Sequence, residues 1–178
     1  MIRSGSVFLA SVFSASMAFA VGGGDSTPPA TTPTSTECPR GTVWDDGRGL
    51  CVSAQSSRLD DDQRYEAVRE LAYAGKLDHA RDVLDAMQAG DDRVLTYRGF
   101  IARQQGDWAQ ALAYYDGALR ANPDNILARS YMAQGFVLQG EIAAAQQQLQ
   151  EIRDRGGRDS WAEASLLRAL RTGQTSAY

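Results

Sequence analysis

Apolar and small residues recur at helical intervals from about residue 60 onward. Ala67, Val68, Leu71 and Ala74 fall on one face of a predicted helix that Gly75 ends. Ahead of it, the acidic run "LDDDQ" is placed to cap free amides and oppose the helix dipole. A calcium loop there would need further oxygen ligands at regular spacing and a turn glycine. Further helical runs are predicted over 77–88, 108–121 and 142–153. The segments "GKLDHA" (75–80), "GDWAQA" (106–111) and "GEIAAA" (140–145) share one order: Gly, polar, large apolar, two others, Ala. Their glycines stand 31 and 34 residues apart, so the chain reads as a repeated unit of helix, tight turn, helix.

The middle unit shows what such a face is for. Gly99, Ala111 and Ala118 are small enough to let helices approach, while Trp108, Leu112, Tyr115 and Leu119 supply ridges to fill the spaces between them. One unit cannot cover that surface, so stacking and a terminal cap are required. "DSWAEASLLRALRTG" (159–173) is the predicted cap, with Trp161, Leu166, Leu167 and Leu170 facing inward and Arg168 and Arg171 left to solvent.

Gly106, Asp107, Trp108, Ala111, Tyr115, Ala118, Pro123 and Asn125 together resemble the tetratricopeptide repeat, with Leu95 and Gly99 at the large and small positions of the preceding helix. Arg98 stands where that family has an apolar residue, Ala102 replaces a Tyr, and the third unit has Gly157 in place of the Pro. The resemblance implies an all-α, right-handed solenoid of helical hairpins over 60–173, with units 61–91, 92–125 and 126–159 and a cap at 160–173. It further implies a concave groove lined by the first helix of each unit. That selects Tyr65, Arg69, Tyr73, Arg93, Phe100, Arg103, Gln104 and Gln134 as the peptide-binding stripe, separate from the core-facing Val68 and Leu71. Arginines and aromatics are enriched at interface centres, and planar guanidinium forks suit an acidic or aromatic extended segment. The Lys and Asn pattern that grips a chaperone's terminal carboxylate in some relatives is missing.

Before residue 60 the composition differs. "MIRSGSVFLASVFSASMAFAV" has a cationic start, a Ser-diluted apolar stretch and a small-x-small site at Ala18 and Ala20, so residues 1–20 read as a cleaved secretory signal. The apolar stretch is too short and too polar for a spanning helix. Residues 21–37 are dominated by Gly, Pro, Ser and Thr and are expected to be a flexible linker. Cys38 and Cys51, the two cysteines of the chain, bracket turn signals and read as a disulfide closing a small hairpin at 38–52. A metal site is the weaker reading, with two thiols and no nearby His, and redox catalysis weaker still without Cys-x-x-Cys spacing. The hairpin resembles small Cys-bracketed modules of exported bacterial proteins, in which Trp44 would either stack on a sugar ring or pack over the disulfide. Lying across a linker, it is expected to fold independently of the repeats.

The chain has 178 residues, 18 Lys and Arg against 22 Asp and Glu, and no basic run, so it carries no electrostatic footprint for nucleic acid or an anionic membrane. His79 is the sole histidine and is expected on a solvated helix face, and no nucleophile stands in a recognisable catalytic pattern. These readings converge on a periplasmic or secreted, non-enzymatic adaptor without metal or cofactor. Its partner would be an unknown protein or peptide, with self-association as a further possibility and no stable membrane insertion after signal cleavage. A cell-wall or carbohydrate-binding role for the hairpin, with the repeats as scaffold, is the alternative.

Overall fold

The computed structural model describes residues 27–175. The expected leader at 1–20 and the first part of the expected linker lie outside them. Seven helices follow residue 60: α2 (Asp61–Tyr73), α3 (Leu77–Leu84), α4 (Asp92–Gln104), α5 (Trp108–Ala121), α6 (Ile126–Leu138), α7 (Ile142–Asp154) and α8 (Trp161–Thr172). Before them come a single turn, α1 (Pro33–Thr36), and two antiparallel strands, β1 (Thr42–Asp45) and β2 (Leu50–Ser53).

Local chemistry sets most helix starts. Asp60 accepts from the Gln63 amide while the Gln63 side chain accepts from the Asp60 amide, a reciprocal capping box at the head of α2. Asp91, Asp107, Asn125 and Ser160 cap α4, α5, α6 and α8 through their side chains. Gly75, Gly106 and Gly140 each adopt a left-handed φ, 72°, 83° and 77°, which explains why one glycine marks each inter-helix turn. The helix expected over 77–88 stops at Leu84. The Ala86 and Met87 amides bond three residues back, to Val83 and Leu84, and leave the α-helical ladder.

Helices α2/α3, α4/α5 and α6/α7 form three antiparallel pairs, each stacked on the next, and α8 closes the end against α6 and α7. Gly99 serves a side chain rather than a backbone: a Cβ there would lie 2.6 Å from the Tyr115 ring. Gly135 gives the same room to Trp108, at 2.1 Å. Arg98, placed where the repeat pattern wants an apolar residue, reaches back to Asp85 at the end of α3, 3.0 Å away. Ala102, the missing Tyr, lines a cavity of about 280 Å³ with Ile101 and Tyr114. Leu166 is buried in the cap as expected, whereas Trp161, Leu167 and Leu170 are only partly covered.

The N-terminal region departs most from expectation. Cys38 and Cys51 are joined by a disulfide, with Trp44 paired opposite Cys51 across the strands. The hairpin, however, is packed on the first helix pair. Val43, Ala54 and Leu59 belong to one buried cluster with Val68, Leu71, Ala80 and Val83. His79, expected in solvent, is buried and donates from Nε2 to the Thr42 carbonyl at 2.7 Å. Arg64 donates to the Ala54 and Ser56 carbonyls, and Arg40 forks onto Asp82.

Residues 32–37 are likewise no free linker. Thr32 caps α1, and its amide and hydroxyl both donate to Glu70 at 2.6 Å. The Ser35 amide donates to Glu70 at 3.0 Å, and the Ser35 hydroxyl does so as well. A single buried carboxylate therefore organises a Thr/Ser turn that has no apolar residue of its own to bury. Low apolar content did not leave this stretch loose, because α2 supplies the partner.

Integration of hairpin and repeats has a measurable consequence. Removing the disulfide with Cys38→Ser and Cys51→Ser should cost about 3 kcal/mol by loop closure. The loss should appear in the helical circular-dichroism melt, since the hairpin covers α2 and α3. A helical melt identical to wild type would show that the hairpin is an independent appendage.

Candidate functional site

The first helices of the three pairs, α2, α4 and α6, lie side by side. Tyr65, Tyr97 and Tyr131 form a ladder across them, with ring centroids 5.8 Å and 5.9 Å apart, and Phe100 sits 5.0 Å from Tyr131. Burial pushes the Tyr97 hydroxyl well above its ordinary pKa, helped by its tyrosine neighbours, so that phenol stays protonated. The array curves far enough that Tyr73, at the end of α2, comes 6.5 Å from Trp161 at the start of α8.

Around this ladder stand the arginines. Arg93 lies over the Tyr65 ring at 5.0 Å and is gripped by Asp91 and Asp62, which raise its pKa further. Arg69 lies 5.9 Å from the same ring, pairs with Glu66 at 2.8 Å and donates to the Thr27 carbonyl at 2.7 Å. Arg103 stacks over Phe100 at 5.3 Å. Its guanidinium nitrogens are buried and face the Tyr115 hydroxyl of α5. The buried Tyr115 hydroxyl lies beside Arg103; burial pushes its pKa up to about 12, while the Arg103 charge and a hydrogen bond with the Arg103 side chain pull the other way.

The eight residues of the expected groove stripe are thus brought onto neighbouring helices, but as a packed surface rather than a solvated wall. Phe100 and Gln134 are 0% exposed, Arg103 is 6%, and Tyr65 and Arg69 are also buried. Arg93 and Gln104 are half-buried, while Tyr73 is 38% exposed. Helical spacing placed these residues on one side of each helix. It could not show that three tyrosines would fill the space between them. Tyr97 and Tyr131 were missed, although they stand one repeat apart, the same 34 residues that separate Gly106 and Gly140.

A second concavity lies where α1, the hairpin and the start of α2 meet. It encloses about 420 Å³ and is walled by Thr32, Thr34, Trp44, Asp46, Gln63 and Glu66 among others. Trp44 is half-buried there, its amide donating to the Thr34 hydroxyl at 3.1 Å. Among the described residues, no three His, Cys, Asp or Glu side chains are grouped so as to hold a metal ion.

Three stacked helix pairs with a glycine at each turn, a buried Ala111–Tyr115–Ala118 face and an Asn125 cap are the geometry that the sequence pattern implied. Residues 102–170 match the family model described as Tetratricopeptide repeat. Over that segment the chain is similar to tetratricopeptide repeats. Among curated proteins it is similar to the TPR repeat-containing thioredoxin TTL4 of Arabidopsis thaliana, 27% identical over 124 residues. That match covers 69% of this chain but 18% of the relative. No solved structure matches. TPR arrays are in general scaffolds for protein–protein interaction rather than catalysts, and here the array carries its own disulfide-closed N-terminal cover.

Proposed function

We propose that this protein is an exported adaptor, periplasmic or secreted, that binds a protein or peptide segment along the inner face of α2, α4 and α6. The observation that carries the reading is the joining of arginines and aromatics from three separate helices into one surface: Arg93 over Tyr65, and Arg103 over Phe100 beside Tyr131. Aromatic and guanidinium groups held rigid by packing lose little side-chain entropy when a partner docks. Tyr73, Arg93 and Gln104 form the accessible rim, and Arg103 lies in the floor. The role is non-catalytic and needs no cofactor. Export is supported by the leader pattern of the first 20 residues and by the disulfide, which persists in oxidising compartments. No helix among the described residues is long and apolar enough to cross a membrane.

The rim is the place to test it. Tyr73→Ala with Arg93→Ala should weaken capture of envelope partners about tenfold or more while leaving the helical spectrum intact. Unchanged partners would place binding elsewhere, and concentration-dependent sedimentation without partners would make self-association the role. Intact mass of the exported protein should begin at Val21.

A second reading is favoured by the cavity beside the hairpin. An aromatic wall at Trp44 and the carboxylates of Asp46 and Glu66 offer a stacking face and hydroxyl acceptors, the chemistry of a saccharide site. Retention of the wild-type protein on chitin or peptidoglycan, lost in Trp44→Ala, is the outcome this reading requires. Equal retention of both proteins, or none, removes it.

A further inference from the structure

We propose that the cavity between α1, the hairpin and the start of α2 is a binding site for a small organic cation, an ammonium group on an aliphatic stem. The cavity is that of the saccharide reading, but the feature recognised is charge rather than a sugar ring. No lysine or arginine lines it, whereas five carboxylates do: Asp46 from the turn between β1 and β2, and Asp60, Asp62, Glu66 and Glu70 from α2 and its cap.

Three of the five are committed within the fold. Asp60 caps α2, Asp62 is held by Arg93 at 2.7 Å, and Glu66 is held by Arg69 at 2.8 Å. The other two have no counterion among the described residues. Asp46 is exposed at the mouth of the cavity. Glu70 is 5% exposed, and the amides and hydroxyls of Thr32 and Ser35 that hold it are all neutral. Neutral donors fix a carboxylate without cancelling its charge, and a charge among buried groups acts more strongly than one in water. Glu70 therefore makes the cavity electronegative without a direct bond to the ligand, and Asp46 is the acceptor that a ligand reaches.

Trp44 supplies the remaining feature. It lines the same cavity and is half-buried, and an aromatic ring attracts a cation most strongly where water is partly excluded. Val43 and Ala67, both buried, give an aliphatic stem an apolar wall. The volume of about 420 Å³ is that of a small-molecule site. A metal ion does not fit these groups, because among the described residues no three acidic, His or Cys side chains are grouped closely enough to hold one. A neutral sugar leaves the charges of Asp46 and Glu70 without a counterion.

Three probes separate charge from ring. Cadaverine carries ammonium groups without a sugar ring, glucosamine carries both, and N-acetylglucosamine carries the ring without the charge. Binding to the disulfide-intact protein is read from the backbone amide resonances of residues 43–46. Cadaverine and glucosamine should shift them, and N-acetylglucosamine should bind about tenfold more weakly than glucosamine, or less. Asp46→Asn and Trp44→Leu, each confirmed as folded by circular dichroism, should each weaken cadaverine about threefold or more. Cadaverine bound as tightly by both variants as by wild type overturns the cation site. So does N-acetylglucosamine bound as tightly as glucosamine while cadaverine goes unbound, a result that leaves the saccharide reading standing. No response to any of the three overturns both.

Discussion

Every helix pair in a stacked array presents apolar surface on two sides, and the pairs at the ends must be covered by something that is not another repeat. That requirement organises this molecule. At the C-terminal end α8 covers α6 and α7 through Ala162, Leu166 and Ala169, with the Ser130 hydroxyl donating to the Ala162 carbonyl. At the N-terminal end the cover is a disulfide-closed hairpin, which contributes Val43, Ala54 and Leu59 to the core of the first pair. Two strands of four residues could not hold their shape unaided; the disulfide and the docking against α2 and α3 do so together.

The same economy governs the inner face. Curvature that brings Tyr73 close to Trp161 crowds the first helices together, and the tyrosine ladder fills the resulting space. A rigid aromatic floor with arginines set into it follows from this packing. Glu70 and Arg69, neighbours on α2, hold the chain N-terminal to the hairpin against that helix, through the 32–35 turn and the Thr27 carbonyl.

Repetition made much of the architecture readable. Gly75, Gly106 and Gly140 declared the turns because each must adopt a left-handed conformation, and Asp60 declared a helix start because its side chain is shaped to cap. Contacts between distant segments were not readable. Nothing local to His79 announces Thr42 as its partner, and nothing in a Thr/Ser-rich stretch announces Glu70. Tyr65, Arg69 and Phe100 are buried, and that burial depends on how tightly the pairs stack, which spacing along one helix does not encode.

The central claim is that the inner face of the repeats carries the interaction. Site-specific photo-crosslinking tests it most directly, with a photoreactive phenylalanine placed either at Tyr73, on the rim, or at Asp116, exposed on the outer helix α5. Irradiation of cells making each protein should yield partner adducts from position 73 and none from position 116. Adducts from 116 alone would contradict the account.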